Sequence, residues 1–117
     1  MMKSCSLLLS AVVMLAASVI LVDAAQSRPA KCFNSSEGNY RCNFNSFGGN
    51  GSFTISAPGY QTITLEIIRR GVSAEGFIEL GSGRYRALSG TYGRSRKDRA
   101  CWINRASEIT QVCAWGL

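Results

Sequence analysis

The chain has 117 residues, and its thirteen Lys and Arg outnumber its seven Asp and Glu, which gives a net charge of +6. A basic balance of this size favours anionic partners such as nucleic acid, phospholipid or lipopolysaccharide headgroups, or acidic glycans. Because the chain contains no histidine, His-based catalytic triads and His-ligated metal sites are excluded. The competing interpretation is that the charge only keeps a small protein soluble.

The first 24 residues have the pattern of a secretory signal peptide. Lys3 precedes an apolar run over residues 7–22, and Val22 and Ala24 stand at positions −3 and −1 of a cut after Ala24. The run is short for a hydrocarbon core about 30 Å thick, so we expect cleavage and not an uncleaved anchor. No second long apolar stretch follows. We therefore expect a secreted or periplasmic protein with no transmembrane segment after cleavage.

The rest of the chain is predicted to form one β domain. Residues 25–31 are polar and show no periodicity, which indicates a flexible N-terminal segment, and residues 32–117 are too few for two cores. Two stretches alternate apolar and polar residues around the turn sequence Pro58-Gly59. The predicted strands are residues 52–57, 61–69, 77–80, 84–88, 90–94, 101–104 and 109–115. With a hairpin turning at Glu37, this gives a small antiparallel β-barrel or sandwich of about eight short strands.

Four cysteines follow the leader, and an even number behind a signal peptide indicates two disulfides. They are Cys32, Cys42, Cys101 and Cys113. No CxxC pair occurs among them, so we predict no metal site. Pairing within each hairpin explains the two spacings and is favoured, because cross-strand neighbours can be bridged. The alternative ties the first hairpin to the last, for instance through Cys42 and Cys113.

The strongest candidate for a ligand-binding surface is the stretch of residues 81–102. It contains six cations: Arg84, Arg86, Arg94, Arg96, Lys97 and Arg99. Guanidinium groups make bidentate contacts with phosphate, sulfate or carboxylate. A strand through Tyr85 sends this tyrosine to the face opposite its two arginine neighbours. Residues 94–99 are predicted to form a loop, beside which Tyr92 and Trp102 offer rings for stacking. The competing interpretation is a solvated loop with buried aromatic residues.

The acids after the leader are scattered, and no two of them are marked as a pair for glycoside hydrolysis. They are Glu37, Glu66, Glu75, Glu79, Asp98 and Glu108. The glycines form neither a dinucleotide-binding motif nor a phosphate-binding loop. With all four cysteines expected in disulfides, no thiol nucleophile remains. We therefore predict that the protein is not an enzyme and uses no cofactor.

Four segments resemble the periplasmic inhibitors of animal-type lysozyme, which are small β-barrels that insert a loop into the lysozyme cleft. The matching segments are Tyr40-Arg41-Cys42, Ser82-Gly83-Arg84-Tyr85, Ser95-Arg96-Lys97 and Cys113. The resemblance implies that Ser82 and Lys97 contact the lysozyme, and that Cys42 and Cys113 form the disulfide shared with that family.

Taken together, the sequence predicts a small, secreted or periplasmic, non-enzymatic binding protein with a basic loop for anionic ligands. The ligand would be a phosphate-rich envelope component, an acidic glycan or nucleic acid. Two alternatives stay open: a periplasmic lysozyme inhibitor with a protein target, and a structural envelope protein without a soluble ligand.

Overall fold

A computed structural model describes residues 26–117 of the chain. The predicted leader, residues 1–24, lies outside the described residues. Nine strands and no helix are found within them: β1 (Gln26–Asn34), β2 (Gly38–Phe47), β3 (Ser52–Ser56), β4 (Ile63–Arg69), β5 (Ser73–Gly81), β6 (Arg84–Ala87), β7 (Tyr92–Arg94), β8 (Cys101–Ile103) and β9 (Gln111–Gly116).

Eight of these strands close an antiparallel barrel. Their order is β1–β2–β3–β4–β5–β7–β8–β9, and β9 pairs with β1 to complete the circle. The extra strand, β6, pairs with the second half of β5, while β7 pairs with the first two residues of β5. The predicted all-β fold with about eight short strands and two disulfides is confirmed, and of the two predicted architectures the barrel is the one that forms.

The interior of the barrel is filled by the alternating apolar residues of its strands. Phe53 and Ile55 of β3 lie opposite Leu65 and Ile63 of β4, and all four side chains are buried. The turn between these strands forms at the predicted place, since Gly59 has a φ of +82° and Tyr60 N–H donates to the Ala57 carbonyl at 3.1 Å. Half-buried strands with period-two alternation are thus confirmed in this part of the chain.

Both disulfides are local. Cys32 bonds to Cys42 with a Cα–Cα distance of 5.9 Å, and Cys101 bonds to Cys113 with a Cα–Cα distance of 4.0 Å. Cys101 and Cys113 stand directly opposite each other on β8 and β9. The pairing favoured by the sequence is therefore confirmed, and the pairing of Cys42 with Cys113 does not form.

The start of β1 differs from the sequence-based expectation. The structure places residues 26–31 in a strand, where the sequence predicted a flexible segment over residues 25–31. The apolar alternation is weak here because the buried residues of this strand are small, such as Ala30. Pro29 precedes the first residue that pairs with β9, so its missing N–H does not interrupt that ladder.

The two ends of the barrel carry different loops. We call "basic end" the end that holds the start of β1, the end of β9, and residues 48–51, 70–72 and 95–100, which connect β2 to β3, β4 to β5 and β7 to β8. The opposite end holds residues 35–37, 57–62, 82–83 and 104–110.

Candidate functional site

The six cations predicted as one surface do not form one cluster. Arg84 lies opposite Gly81 at the end of β5, whereas the residue before Arg94, Gly93, lies opposite Ser73 at its beginning. The length of β5 between these two points is about 27 Å at 3.4 Å per residue. The structure brings Arg94, Arg96, Lys97 and Arg99 together at the basic end and leaves Arg84 and Arg86 apart from them.

Arg86 differs from the cations of the basic end in having a carboxylate partner. Its Nη1 lies 2.8 Å from Oε1 of Glu108, which lowers the pKa of Glu108 through this hydrogen bond and through its charge. Tyr85 stands opposite Glu79 and Arg86 opposite Ile78, so these two neighbours lie on opposite faces of β6.

The loop of residues 95–100 is ordered by its own hydrogen bonds. Ser95 Oγ accepts from the backbone N–H groups of Lys97 and Asp98 at 3.2 and 3.3 Å. Asp98 Oδ1 accepts from Ala100 N–H, and Asp98 Oδ2 accepts from Nε1–H of Trp115, both at 2.9 Å. These bonds, the backbone one first, lower the pKa of Asp98. The single acid of the loop therefore fixes its backbone and does not pair with an arginine.

Arg94 connects this loop to the barrel wall. Its guanidinium carbon lies 4.8 Å from the centroid of the Trp102 ring, and its Nε–H donates to the Arg99 carbonyl. Partial burial and, second, the charge of Arg99 lower the pKa of Arg94. Within residues 26–117 the single side-chain ion pair is that of Arg86, so neither Arg94 nor Arg99 has a carboxylate at ion-pair distance. An anion placed between them would oppose this lowering of the pKa, because a nearby opposite charge favours the charged form of the guanidinium.

A cavity of about 180 Å³ opens beside these two arginines at the mouth of the barrel. Its apolar floor is formed by Phe44, Phe53 and Trp102, with the rings of Phe44 and Phe53 5.0 Å apart. We call this the mouth cavity. A third guanidinium, that of Arg28, lies 5.6 Å from the Phe44 ring on the adjoining side. The mouths of barrels are common sites of ligand binding.

The turn between β4 and β5 adds cations that sequence reasoning did not assign to the site. Arg69 and Arg70 are exposed there, and Nη2 of Arg70 donates to the Gly49 carbonyl at 2.7 Å. A Cβ atom built on Gly71 would lie 4.0 Å from Nη2 of Arg99, which places this turn beside the loop of residues 95–100. The Arg69-Arg70-Gly71 sequence indicates only the end of a strand. No local pattern places these arginines at the site, because their position depends on how the barrel closes.

The two aromatic residues expected to stack on a ligand are buried. Tyr92 is completely buried, and its hydroxyl donates to the Ile109 carbonyl at 2.5 Å. Trp102 is 3% exposed beneath Arg94 and contributes only to the floor of the mouth cavity. For these residues the competing interpretation, buried aromatics beside a solvated loop, is the correct one.

Ser82 and Lys97 lie at opposite ends of the barrel. Ser82 follows β5, and its φ of +54° makes it the one non-glycine residue with a positive φ among residues 26–117. Lys97 lies in the loop between β7 and β8. The two contact residues that the lysozyme-inhibitor resemblance implies thus do not lie together on one surface, and the pairing of Cys42 with Cys113 that it implies does not form.

A groove of about 440 Å³ on the outer face of the barrel is larger than the mouth cavity. Phe47, Phe77 and Tyr85 line it, together with Glu66 and two threonines whose hydroxyls bond to each other at 2.8 Å. No Lys or Arg lines this groove, so it does not contribute to the cationic site.

No protein-family model, no curated protein and no solved structure matches this chain. From Gln26 to Leu117 no helix is long and apolar enough to cross a membrane. In the same part of the chain, no three Cys, Asp or Glu side chains are grouped so that they would hold a metal ion.

Proposed function

We propose that the protein is a secreted or periplasmic binding protein, without catalytic activity, that holds an anionic ligand at the basic end of its barrel. The observation that carries this proposal is the position of Arg94 and Arg99 at the mouth cavity without a carboxylate partner. Two disulfides are compatible with an extracellular or periplasmic location.

The order of the loop supports a binding role. Hydrogen bonds within residues 95–100 and the bond from Trp115 to Asp98 hold Arg96, Lys97 and Arg99 on a defined backbone. A site that is ordered before the ligand arrives loses less conformational entropy on binding than a flexible basic tail. Guanidinium forks favour oxyanions of planar or tetrahedral shape, so phosphate, sulfate and carboxylate groups are the expected ligand groups.

The experiment is retention of the folded, oxidised protein on an immobilised polyphosphate, eluted with a salt gradient. If about four phosphates are engaged, the logarithm of the binding constant should fall with the logarithm of salt concentration with a slope of roughly −3.6. The variant Arg96→Ser/Lys97→Ser/Arg99→Ser should elute earlier, with a slope of about −1.

A matched control removes the same charge elsewhere. Arg41→Ser/Arg84→Ser/Arg105→Ser removes three exposed cations that lie away from the basic end and have no carboxylate at ion-pair distance. The proposal expects this control to keep the steep slope of the parent. Equal losses in the two triple variants would mean that the charge acts diffusely, and the proposed site would be abandoned.

A second candidate function is inhibition of animal-type lysozyme. The observation in its favour is the left-handed backbone of Ser82 at an exposed turn, because strained residues of this kind often lie at functional sites. If lysozyme keeps its activity in the presence of a stoichiometric excess of the folded protein, this second function is excluded. If neither polyphosphate nor lysozyme is bound, loss of envelope integrity in a deletion strain would favour a structural envelope protein.

A further inference from the structure

Large apolar side chains are exposed between the cations of the basic end. Ile68, the second-last residue of β4, and Val72, in the turn between β4 and β5, have exposures of 53% and 51%. Single exposed apolar residues are ordinary on protein surfaces. Here, however, the two lie on either side of Arg69 and Arg70 at the same end of the barrel, so their shared position requires an explanation.

These apolar side chains and the cations belong to one surface. Arg69 and Arg70 follow Ile68 directly in the chain, and the N–H of Arg94 donates to the Val72 carbonyl at 3.1 Å. Arg70 reaches the turn after Phe47 through its bond to the Gly49 carbonyl. Ile68 and Val72 are therefore exposed directly beside these arginines.

The acids are distributed in the complementary way. Asp98 is the one acid of the described residues on the connections of the basic end, and its carboxylate is occupied by Ala100 and Trp115. Glu37 and Glu108 lie on connections of the opposite end, and the others lie on β4 and β5. The barrel thus has a cationic, partly apolar end and carries most of its acids away from it.

We infer that the basic end docks on the surface of an anionic lipid bilayer. In this arrangement the arginines and Lys97 contact lipid phosphates, and Ile68 and Val72 enter the boundary between headgroups and acyl chains. The inference rests on the proposed function and names its ligand as headgroups in a bilayer. A soluble polyanion would satisfy the cations but leave the two apolar side chains in water, so a bilayer explains both the charge and the apolar exposure of this surface.

The expected contributions follow from the two kinds of contact. Each cation near an anionic surface should strengthen binding about five-fold. Replacing both Ile68 and Val72 by serine removes aliphatic carbons from the headgroup boundary and should weaken binding at least about ten-fold. Both side chains are about half exposed, so their replacement does not open a cavity in the core.

The experiment is co-sedimentation of the folded, oxidised protein with vesicles, in parallel with retention on polyphosphate. The parent should bind vesicles that contain phosphatidylglycerol and should not bind vesicles of phosphatidylcholine alone. Ile68→Ser/Val72→Ser should lose the vesicle binding and keep the polyphosphate retention. The matched control Leu80→Ser/Tyr85→Ser, at residues 48% and 57% exposed and away from the basic end, should keep both.

Three results overturn the inference while leaving the proposed function intact: retention on polyphosphate without vesicle binding, vesicle binding unaffected by the Ile68→Ser/Val72→Ser change, and equal binding to both kinds of vesicle. If the parent protein binds neither polyphosphate nor vesicles, both the proposed function and the inference are overturned.

Discussion

Gly76 is the position at which a single methyl group should damage the barrel most specifically. A Cβ atom there would lie 2.5 Å from Cε1 of Tyr92 and 3.2 Å from Cδ1 of Leu88. Tyr92 is completely buried, and its hydroxyl is bonded to the Ile109 carbonyl, so its ring cannot move away without losing that bond. Tyr92 also begins β7, the strand that ends at Arg94.

The cost of Gly76→Ala combines three contributions. Overpacking of a buried site costs about 1–3 kcal/mol, and loss of the Tyr92 hydrogen bond adds about 1 kcal/mol. Replacing glycine recovers about 0.4–1 kcal/mol through the unfolded state. The net loss should therefore be about 2 kcal/mol, which corresponds to a fall in Tm of about 10 °C for a domain of this size.

Urea unfolding of the oxidised protein measures this loss, and Gly93→Ala is the control. Gly93 also lies in a strand with an ordinary φ, but a Cβ there would find its nearest neighbour, the Val72 carbonyl oxygen, at 4.0 Å. Gly93→Ala should leave stability unchanged or raise it by up to about 1 kcal/mol. If the two variants have the same stability, the packing of Tyr92 against Gly76 is not what holds β7 in place.

Three further predictions concern stability. Tyr92→Phe should cost about 1–2 kcal/mol in urea unfolding, because the buried Ile109 carbonyl loses its donor; an unchanged midpoint would show that this bond contributes nothing. Removing the Cys101–Cys113 bond by the double change to alanine should cost about 3 kcal/mol, and equal thermal unfolding of variant and parent would contradict this. The lowered pKa of Glu108 means that its pair with Arg86 stabilises the protein above the unfolded pKa of glutamate, near 4.3, and that this contribution disappears as the pH falls through the lowered value. Parent and Glu108→Gln should thus converge in stability at acid pH, and a gap that widens on acidification would refute the assignment.

Local patterns in the sequence were sufficient for the strands whose two faces differ. In strands β3 and β4 the buried apolar residues alternate with polar residues, and the turn at Gly59 has its own signature. Strand β1 has no such pattern, because Arg28 and Pro29 stand where an apolar alternation would be expected. What makes residues 26–34 a strand is pairing with β2 and with the distant β9, which no local pattern encodes.

The candidate site was predictable from the sequence only where its residues are neighbours in the chain. The cations of residues 94–99 are neighbours in the chain and remain neighbours in space. Arg84 and Arg86 are also near in sequence, but β6 pairs with the second half of β5 and β7 pairs with its first two residues. Arg94, at the end of β7, therefore lies at the other end of the barrel. Arg69 and Arg70 lie at the site because β5 pairs with both β4 and β7, and these pairings are not encoded by a local pattern.

An NMR titration with short polyphosphate shows where on the barrel the anion binds. If the basic end holds it, the shifted signals should be the backbone amides of residues 94–100, Nε–H of Arg94 and Nε1–H of Trp115, which donates to Asp98 in the loop. The amides of residues 81–86, at the far end of β5, should not move. Shifts spread evenly over the surface, or concentrated at residues 81–86, would mean that the basic end is not the anion-binding site.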